Sequence, residues 1–305
     1  MKITTLATIF TTVISASSLA ATVYKDDMTQ LDIGGRAEAR FNLSDNNKTA
    51  TENSFDDRSR ARINVIGNTK ISDSLSGFGK YEAEFDTGSE LTNRYIFAGL
   101  GTDIGRFSYG KQDSAQVMLT DFTDTMATFG ADAADLTYGN QDKREANFLY
   151  SGQFNDLSIK ANYLAAQSAD DSDQSFGVAA LYPFDAFTMG AGVVSSDDDY
   201  QFNLAGNYNL DDFVFAAFFA FGEVEDDNAT ALELSAMYNM GKASFVMVYN
   251  KSDYDASSKR SSEANNIAIE GVYKFNTHLR TYAGYKFEQI DTLNNQLQAG
   301  IRYDF

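Results

Sequence analysis

The stretch "QLQAGIRYDF", Gln296 to Phe305, stands at the end of the chain. Leu297, Ala299, Ile301, Tyr303 and Phe305 share one parity, while Gln296, Gln298, Gly300, Arg302 and Asp304 share the other. Such alternation marks a strand with one apolar and one polar face. Terminal residues ordinarily fray. An aromatic side chain kept in register to the last position therefore predicts a final strand held by a neighbour.

The pattern recurs upstream. In "LDIGGRAEARFN", Leu31, Ile33, Ala37, Ala39 and Phe41 alternate with Asp32, Arg36, Glu38, Arg40 and Asn42. In "GKYEAEFD", Tyr81, Ala83 and Phe85 alternate with Lys80, Glu82, Glu84 and Asp86. The longest apolar run past Ala21, "FVFAAFFAF", keeps Phe213, Phe215, Phe219 and Phe221 on one parity, with Ala216 and Ala220 on the other. A helix would scatter these rings around its axis, whereas a strand gathers them on one face. No run past Ala21 reaches the ~18 apolar residues of a spanning helix. Short connections such as 152–156, 209–212 and 239–242 alternate with longer polar ones at 43–59, 112–142, 167–174, 195–200, 223–230, 251–264 and 290–295. The segments between them predict an up-and-down meander of about sixteen strands of roughly ten residues.

Composition agrees. The chain has 22 Gly, one Pro, 24 Phe and 17 Tyr, a balance that suits strands and tight turns rather than disorder. It has no Cys and one His, so disulfides are excluded and a metal or haem site would rest almost wholly on carboxylates. No cofactor is expected. The net charge of -19 repels nucleic acid and attracts cations.

"MKITTLATIFTTVISASSLA", residues 1–20, has Lys2 in front, an apolar middle from Leu6 to Ile14, and Ser18-Leu19-Ala20 at its end. This is the layout of a cleaved export signal. An N-terminal membrane helix is the other reading, and the apolar part is too short and too interrupted for it. The mature domain is expected over 21–305.

Each predicted strand offers an apolar and a polar face, and no helical layer is available to cover the former. Closing the meander with its apolar face outward and its polar face inward satisfies every backbone group and leaves no edge. The expected fold is therefore all-β, a transmembrane antiparallel barrel with short turns at one end and long loops at the other. The last strand would pair with the first. A secreted sandwich or adhesin of repeated hairpins would instead bury about half of its apolar positions in an inner core.

About sixteen strands enclose a lumen wide enough for water and solutes, so function rests on what lines and narrows it. Arg36 and Arg40 fall on the polar parity of the first strand; Arg58, Arg60 and Arg62 follow two apart; Arg94 and Arg144 open later strands. Glu82 and Glu84 lie on the polar parity between them. The two types could simply pair along a polar wall, or the arginines could form a positive ladder on one side of a pore. Crowded like charges cost energy, which favours the ladder as a functional feature. The connection 112–142 carries Val117, Met118, Leu119, Phe122, Met126, Phe129 and Leu136 and is too apolar to stand in water. Folded inward, it would narrow the pore and hold Asp121, Asp124, Asp132 and Asp135 opposite the arginines. The resulting transverse field would penalise apolar solutes.

With these segments in view, the chain resembles a general diffusion porin of Gram-negative outer membranes over its whole mature length. The segments that carry the likeness are "ATVYKDD" at 21–27, "SRARINVIGNTKISDSLSGFGKYEAEFD" at 59–86, "NRYIFAGLGTDIGRFSYGKQD" at 93–113 and "AGIRYDF" at 299–305. The resemblance implies a sixteen-stranded barrel, a homotrimer, and a third external loop tucked into the lumen. It places Arg62 and Arg94 among the constriction arginines, Arg36 at a basic position of the first strand, Arg144 just after the inward loop, and Asp124 at an acidic site on it. The family loop often carries Pro-Glu-Phe-Gly-Gly, where this chain has Ala127-Thr128-Phe129-Gly130-Ala131. Thr128 stands where a second acid would be, with Asp132 and Asp135 as substitutes. The family's terminal Phe is read by the barrel-assembly machinery, a role implied here for Phe305.

Other motifs fall away. "GRFSYGKQ" ends in Gln112 where a phosphate loop needs Ser or Thr, and it lies on a strand. The runs "ADDSD" and "SDDDY" lack the Gly and terminal Glu of a calcium loop. His278 sits alone in a short turn, so a hydrolase would lack its base where it is needed. The reading is an outer-membrane channel for ions and small hydrophilic solutes, without turnover, weakly cation-preferring, and in contact with lipid and lipopolysaccharide. A substrate-selective porin would show an aromatic track along the lumen, and the polar parities show none. An adhesin would not conduct.

Overall fold

Strand formation follows the parity pattern throughout the computed structural model, which describes residues 20–88, 90–167, 174–196, 199–255 and 263–305. The export signal expected at 1–20 lies outside them except for Ala20, as does "ADDSD". The strands in chain order are β1 (Ala21–Lys25), β2 (Thr29–Ser44), β3 (Phe55–Asp57), β4 (Arg60–Lys70), β5 (Leu75–Asp86) and β6 (Leu91–Thr102). They continue with β7 (Gly105–Gln112), β8 (Arg144–Phe154), β9 (Leu157–Leu164), β10 (Ser175–Phe184), β11 (Phe187–Ser196) and β12 (Asp199–Leu210). The last are β13 (Phe213–Val224), β14 (Asp227–Met240), β15 (Ala243–Tyr254), β16 (Asn265–Lys274), β17 (Leu279–Glu288) and β18 (Gln296–Asp304).

Sixteen of these, β2 and β4 to β18, pair antiparallel in sequence order and close into a ring through β18 and β2. The short β1 and β3 are accessory pieces. The terminal strand is held as its alternation predicts: β18 pairs with β2 from Gln296↔Ser44 to Asp304↔Arg36. The Phe305 N–H then donates to the Gly35 carbonyl at 3.0 Å, and the Gly35 N–H returns to the Phe305 carbonyl at 2.7 Å. Beyond that point β1 takes over the same edge of β2, from Ala21↔Ile33 to Lys25↔Gln30. On the other edge, β4 covers Thr29 to Glu38 and β3 covers Phe41 to Leu43.

Tight turns join the strands at one end. Asn155, Asp185, Asp211 and Gly241 open them with φ of 53°, 55°, 50° and 61°. Asn, Asp and Gly tolerate this left-handed region best, and it matches the twist of a hairpin. At the opposite end the connection expected at 223–230 is instead a tight turn through Glu225 and Asp226, with φ of 52° and 68°. β13 and β14 run nearly to its tip because Ala229 and Ala231 continue the inner parity.

The outer face carries the large apolar side chains: Phe219 is 40% exposed while its neighbour Phe218 is 0% exposed. Such a band suits lipid. The inner face is polar on β2 to β6. On β10 to β15 it is partly apolar, where Ala179, Ala205, Phe218, Ala220, Ala229, Ala231 and Tyr254 cluster with Ala115, Leu119, Ala133, Ala134 and Leu136 of segment 113–143. That patch explains the apolar loop residues.

A methyl group at Gly35 would overlap the Arg62 carbonyl and approach Phe305 Cζ to 2.8 Å. Gly35→Leu is expected to cost about 1–3 kcal/mol through overpacking at the seam. Urea unfolding of the refolded barrel checks this as a lowered midpoint with unchanged slope.

Candidate constriction site

The arginine wall is built by register. Arg36 of β2 lies directly across from Arg62 of β4, and Arg62 lies across from Glu84 of β5. Between β5 and β6 the register slips: Glu82 opposes Tyr95 and Ala83 opposes Asn93. Arg94 is the extra residue of this bulge, and it reaches Glu82 at 2.9 Å. Bulges re-aim side chains in this way.

The unbroken positive ladder does not form, because carboxylates interleave the arginines. Glu38 bridges Arg60 at 2.6 Å and Arg36 at 3.4 Å, and accepts a hydrogen bond from the Tyr282 hydroxyl at 2.8 Å. Glu84 binds Arg62 closely, with Arg60 at 3.6 Å and Arg94 at 3.8 Å. Glu82 adds Arg62 at 3.8 Å and Lys80 at 3.3 Å. Five cations thus share three carboxylates. The wall stays positive, but each guanidinium has a partner.

Segment 113–143, with a single helical turn α1 (Val117–Thr120), is tied to inner-face side chains of the opposite strands. Glu233 of β14 accepts the Ala133 and Ala134 N–H groups at 2.8 and 2.9 Å and the Thr123 hydroxyl at 2.5 Å. Glu270 of β16 accepts the Ala127 N–H at 2.9 Å, and the Thr128 N–H and hydroxyl at 2.6 Å. Gln201 of β12 accepts the Thr137 N–H at 3.0 Å and donates to the Ala134 carbonyl at 2.8 Å. A lone buried carboxylate is costly; irregular backbone supplies the donors that satisfy these. The strands also make room. A Cβ at Gly284 would overlap the Thr128 hydroxyl, and one at Gly192 would overlap the Gln116 amide.

The four loop aspartates divide. Asp132 accepts from Lys286 at 3.1 Å and Asn266 at 3.0 Å, so it belongs to the loop's anchorage. Asp135 accepts from Asn140 at 3.0 Å. Asp121 and Asp124 form no ion pair with Arg36, Arg62 or Arg94 among the described residues. All four residues are exposed, yet burial pushes the Asp121 carboxyl up to about 6, with Asp113 adding to the shift and Lys160 opposing it. Burial raises Asp124 and Asp135 as well. Both facts fit carboxylates that touch water in a confined, protein-walled space.

Arg144 does not join the wall's ion pairs. It donates to the Asp142 carbonyl at 2.9 Å and lies 4.4 Å over the Tyr138 ring. Its neighbour Lys143, a residue the sequence reading missed, pairs with Asp142 and lies within the electrostatic reach of Arg94, Asp113, Arg62 and Asp124. Burial pushes the Lys143 ammonium down to about 8, helped by Arg94 and opposed by Asp113, so it feels both the wall and the loop. The Lys143 backbone is left-handed, with φ of 52°, and its N–H donates to Asp113 at 3.1 Å. Glu233, Glu270 and Gln201 were missed too. They sit on predicted strands at inner positions, and a carboxylate among alanines, as in "ATALELSA" at 229–236, is the one available signal.

Residues 4–293 match the family described as Gram-negative porin. Porin-like protein L of Photobacterium profundum is 37% identical, with 96% of each chain covered. Outer membrane protein U of Vibrio cholerae is 35% identical over 95% of this chain and 92% of that one. Among solved structures, the Salmonella typhi OmpF complex with Daunomycin superposes with a TM-score of 0.81 at 20% identity, covering 93% of this chain and all of that one, which supports the fold.

Removing the Glu233 carboxylate strands two loop amides. Glu233→Ala is expected to speed hydrogen exchange at Ala133 and Ala134 about 10- to 100-fold, matching the loss of hydrogen bonds to a charged acceptor. Exchange at β4 and β5 should not change.

Proposed function

Because the chain belongs to the Gram-negative porin family, and so is an outer-membrane channel, we propose that segment 113–143 lies across its lumen and forms a constriction against the arginine wall. The observation that carries this is the pair of inner-face glutamates, Glu233 of β14 and Glu270 of β16, holding on strands of the far side a segment that leaves the ring at β7 and rejoins it at β8.

Asp121 and Asp124 on the loop then face Arg36, Arg62, Arg94 and Lys143, with Glu82 and Glu84 tempering the positive side. Around the gap, Arg36, Arg60, Arg62, Lys80, Arg94 and Lys143 are balanced one for one by Glu38, Glu82, Glu84, Asp113, Asp121 and Asp124. Such a passage has a transverse field but little net charge, so it aligns dipolar solutes and selects weakly between ions. The net charge of -19 tips the balance toward cations. Passage is passive, with no turnover and no cofactor.

The assembled protein is a homotrimer on this reading, packed through the outer face of β2 and β16 to β18. Small residues stand there: Ala39, Gly271, Ala283 and Ala299 line an apolar hollow of ≈ 800 Å³. Phe305, fixed at the seam, serves the barrel-assembly machinery as a terminal signal. Lipid and lipopolysaccharide surround the apolar outer band.

Single-channel recording of the refolded mature chain under a KCl gradient tests the channel. Closure in three equal steps with a small cation-side reversal potential is expected. A silent bilayer would sink the open-channel reading, and a single closing step would sink the trimer.

The pH dependence has a definite sign. Between pH 5 and 7 Asp121 ionises, and above pH 8 Lys143 loses its charge, so cation preference should rise with pH in two steps near 6 and 8. Asp121→Asn should remove the lower step and Lys143→Met the upper. Reversal potentials measured from pH 4.5 to 9.5 check both.

A further inference from the structure

The polar parities read from the sequence showed no aromatic track, because the bulge at Arg94 conceals one. Past that slip Tyr95 and Phe97 stand on the inner face of β6, while Ile96 and Leu100 face outward at 47% and 48% exposure. Phe78 of β5 lies across from Gly99, and its ring occupies the space that a side chain at Gly99 would need. Tyr95 meets Phe97 at 6.4 Å and Phe97 meets Phe78 at 6.5 Å, both edge to face. The three rings descend from the arginine wall toward the short-turn end, which in this class of barrel is the periplasmic mouth.

A cation crowns each end of the track, and the two differ. Lys80 lies 3.9 Å over the Tyr95 ring and is paired with Glu82. Arg106 of β7 lies 3.7 Å over Phe78 and has no carboxylate partner among the described residues. Cation–π contact offsets the loss of hydration by only about 0.5–2 kcal/mol. A half-buried guanidinium without an anion keeps its five donors free for one.

Beside Phe78 and Arg106 opens a cavity of ≈ 570 Å³, walled also by Ile66, Asn68 and Ser76. That is within the roughly 300–1,000 Å³ of small-molecule sites. Most of its carboxylates have other partners. Asp32 accepts from Thr22 and Gln30, Asp26 from Tyr24 and two backbone amides, and Asp73 from Lys70, leaving the exposed Asp27 at the rim.

We propose that this part of the wall is a binding subsite for aromatic carboxylates, with the solute's carboxylate forked on Arg106 and its ring beside Phe78. The inference rests on the reading of the barrel interior as an open passage. It makes the channel more than a sieve: anionic aromatic solutes are retained on the periplasmic side of the constriction.

The chain has no Trp, so the fluorescence of 2-naphthoate is free of indole interference. Anisotropy of 2-naphthoate titrated with the folded mature protein in detergent should show saturable binding. Arg106→Gln should weaken it about tenfold, the worth of a charge-assisted fork, and Arg106→Lys should restore part of the loss. Neutral naphthalene-2-carboxamide should not saturate. Migration on a gel before and after heating shows that each variant is folded. Equal affinity in Arg106→Gln and the native chain, saturable binding of the carboxamide, or no binding by the native chain would each overturn the subsite. KCl conductance on the same preparation separates the two readings. Conducting channels that ignore naphthoate sink the subsite alone, while silent channels that bind it sink the open passage and support the subsite.

Discussion

In hydrocarbon an unpaired backbone N–H or C=O costs several kcal/mol, and the arrangement of this chain follows from removing every such group by closing a ring. The seam is where that requirement is hardest to meet, because two chain ends must share one edge. β2 resolves it by length. Its sixteen residues accept β18 and Phe305 along one half of an edge and β1 along the other. Gly35 stands at the join, where a side chain would collide with Arg62 and with the Phe305 ring.

Closure fixes which face looks inward, and sixteen strands enclose more space than side chains of the wall can fill. The two halves of the interior meet this differently. On β10 to β15 the inner face is small and apolar and packs against segment 113–143, and Glu233 of β14 and Glu270 of β16 accept that segment's free amides. On β2 to β6 the wall is charged, with its guanidinium and carboxylate groups paired. The loop's own charges divide accordingly: Asp132 is held by Lys286 and Asn266, while Asp121 and Asp124 form no ion pair with the wall's arginines among the described residues.

The charged half is tolerable because it is mixed. Arg36 and Arg62 are set directly across from each other, a placement that would be repulsive in isolation. Glu38 and Glu84 reach the neighbouring guanidinium groups, so repulsion between nearest like charges is offset within one strand spacing. The network still carries two more cations than carboxylates, five against three, so it keeps a positive sign toward the interior.

The alternation of "QLQAGIRYDF" and its repeats was enough to define strands, faces, closure and a membrane setting, because a two-residue period needs only nearest neighbours to be recognised. Arg36, Arg62, Glu82 and Glu84 could be assigned to the inner face for the same reason. What parity could not show is where it breaks. The bulge at Arg94 turns Tyr95 and Phe97 inward, and the extended strands around Glu225 turn an apparent long loop into a tight hairpin. Nor could local sequence reveal that Lys143 comes under the influence of both Arg94 and Asp113, or that Glu233 and Glu270 clamp residues a hundred or more positions away. Those facts depend on register across many strands and on which inner-face atoms a folded segment meets. Periodicity is a property of one strand, whereas a charge's partner is decided by the whole ring.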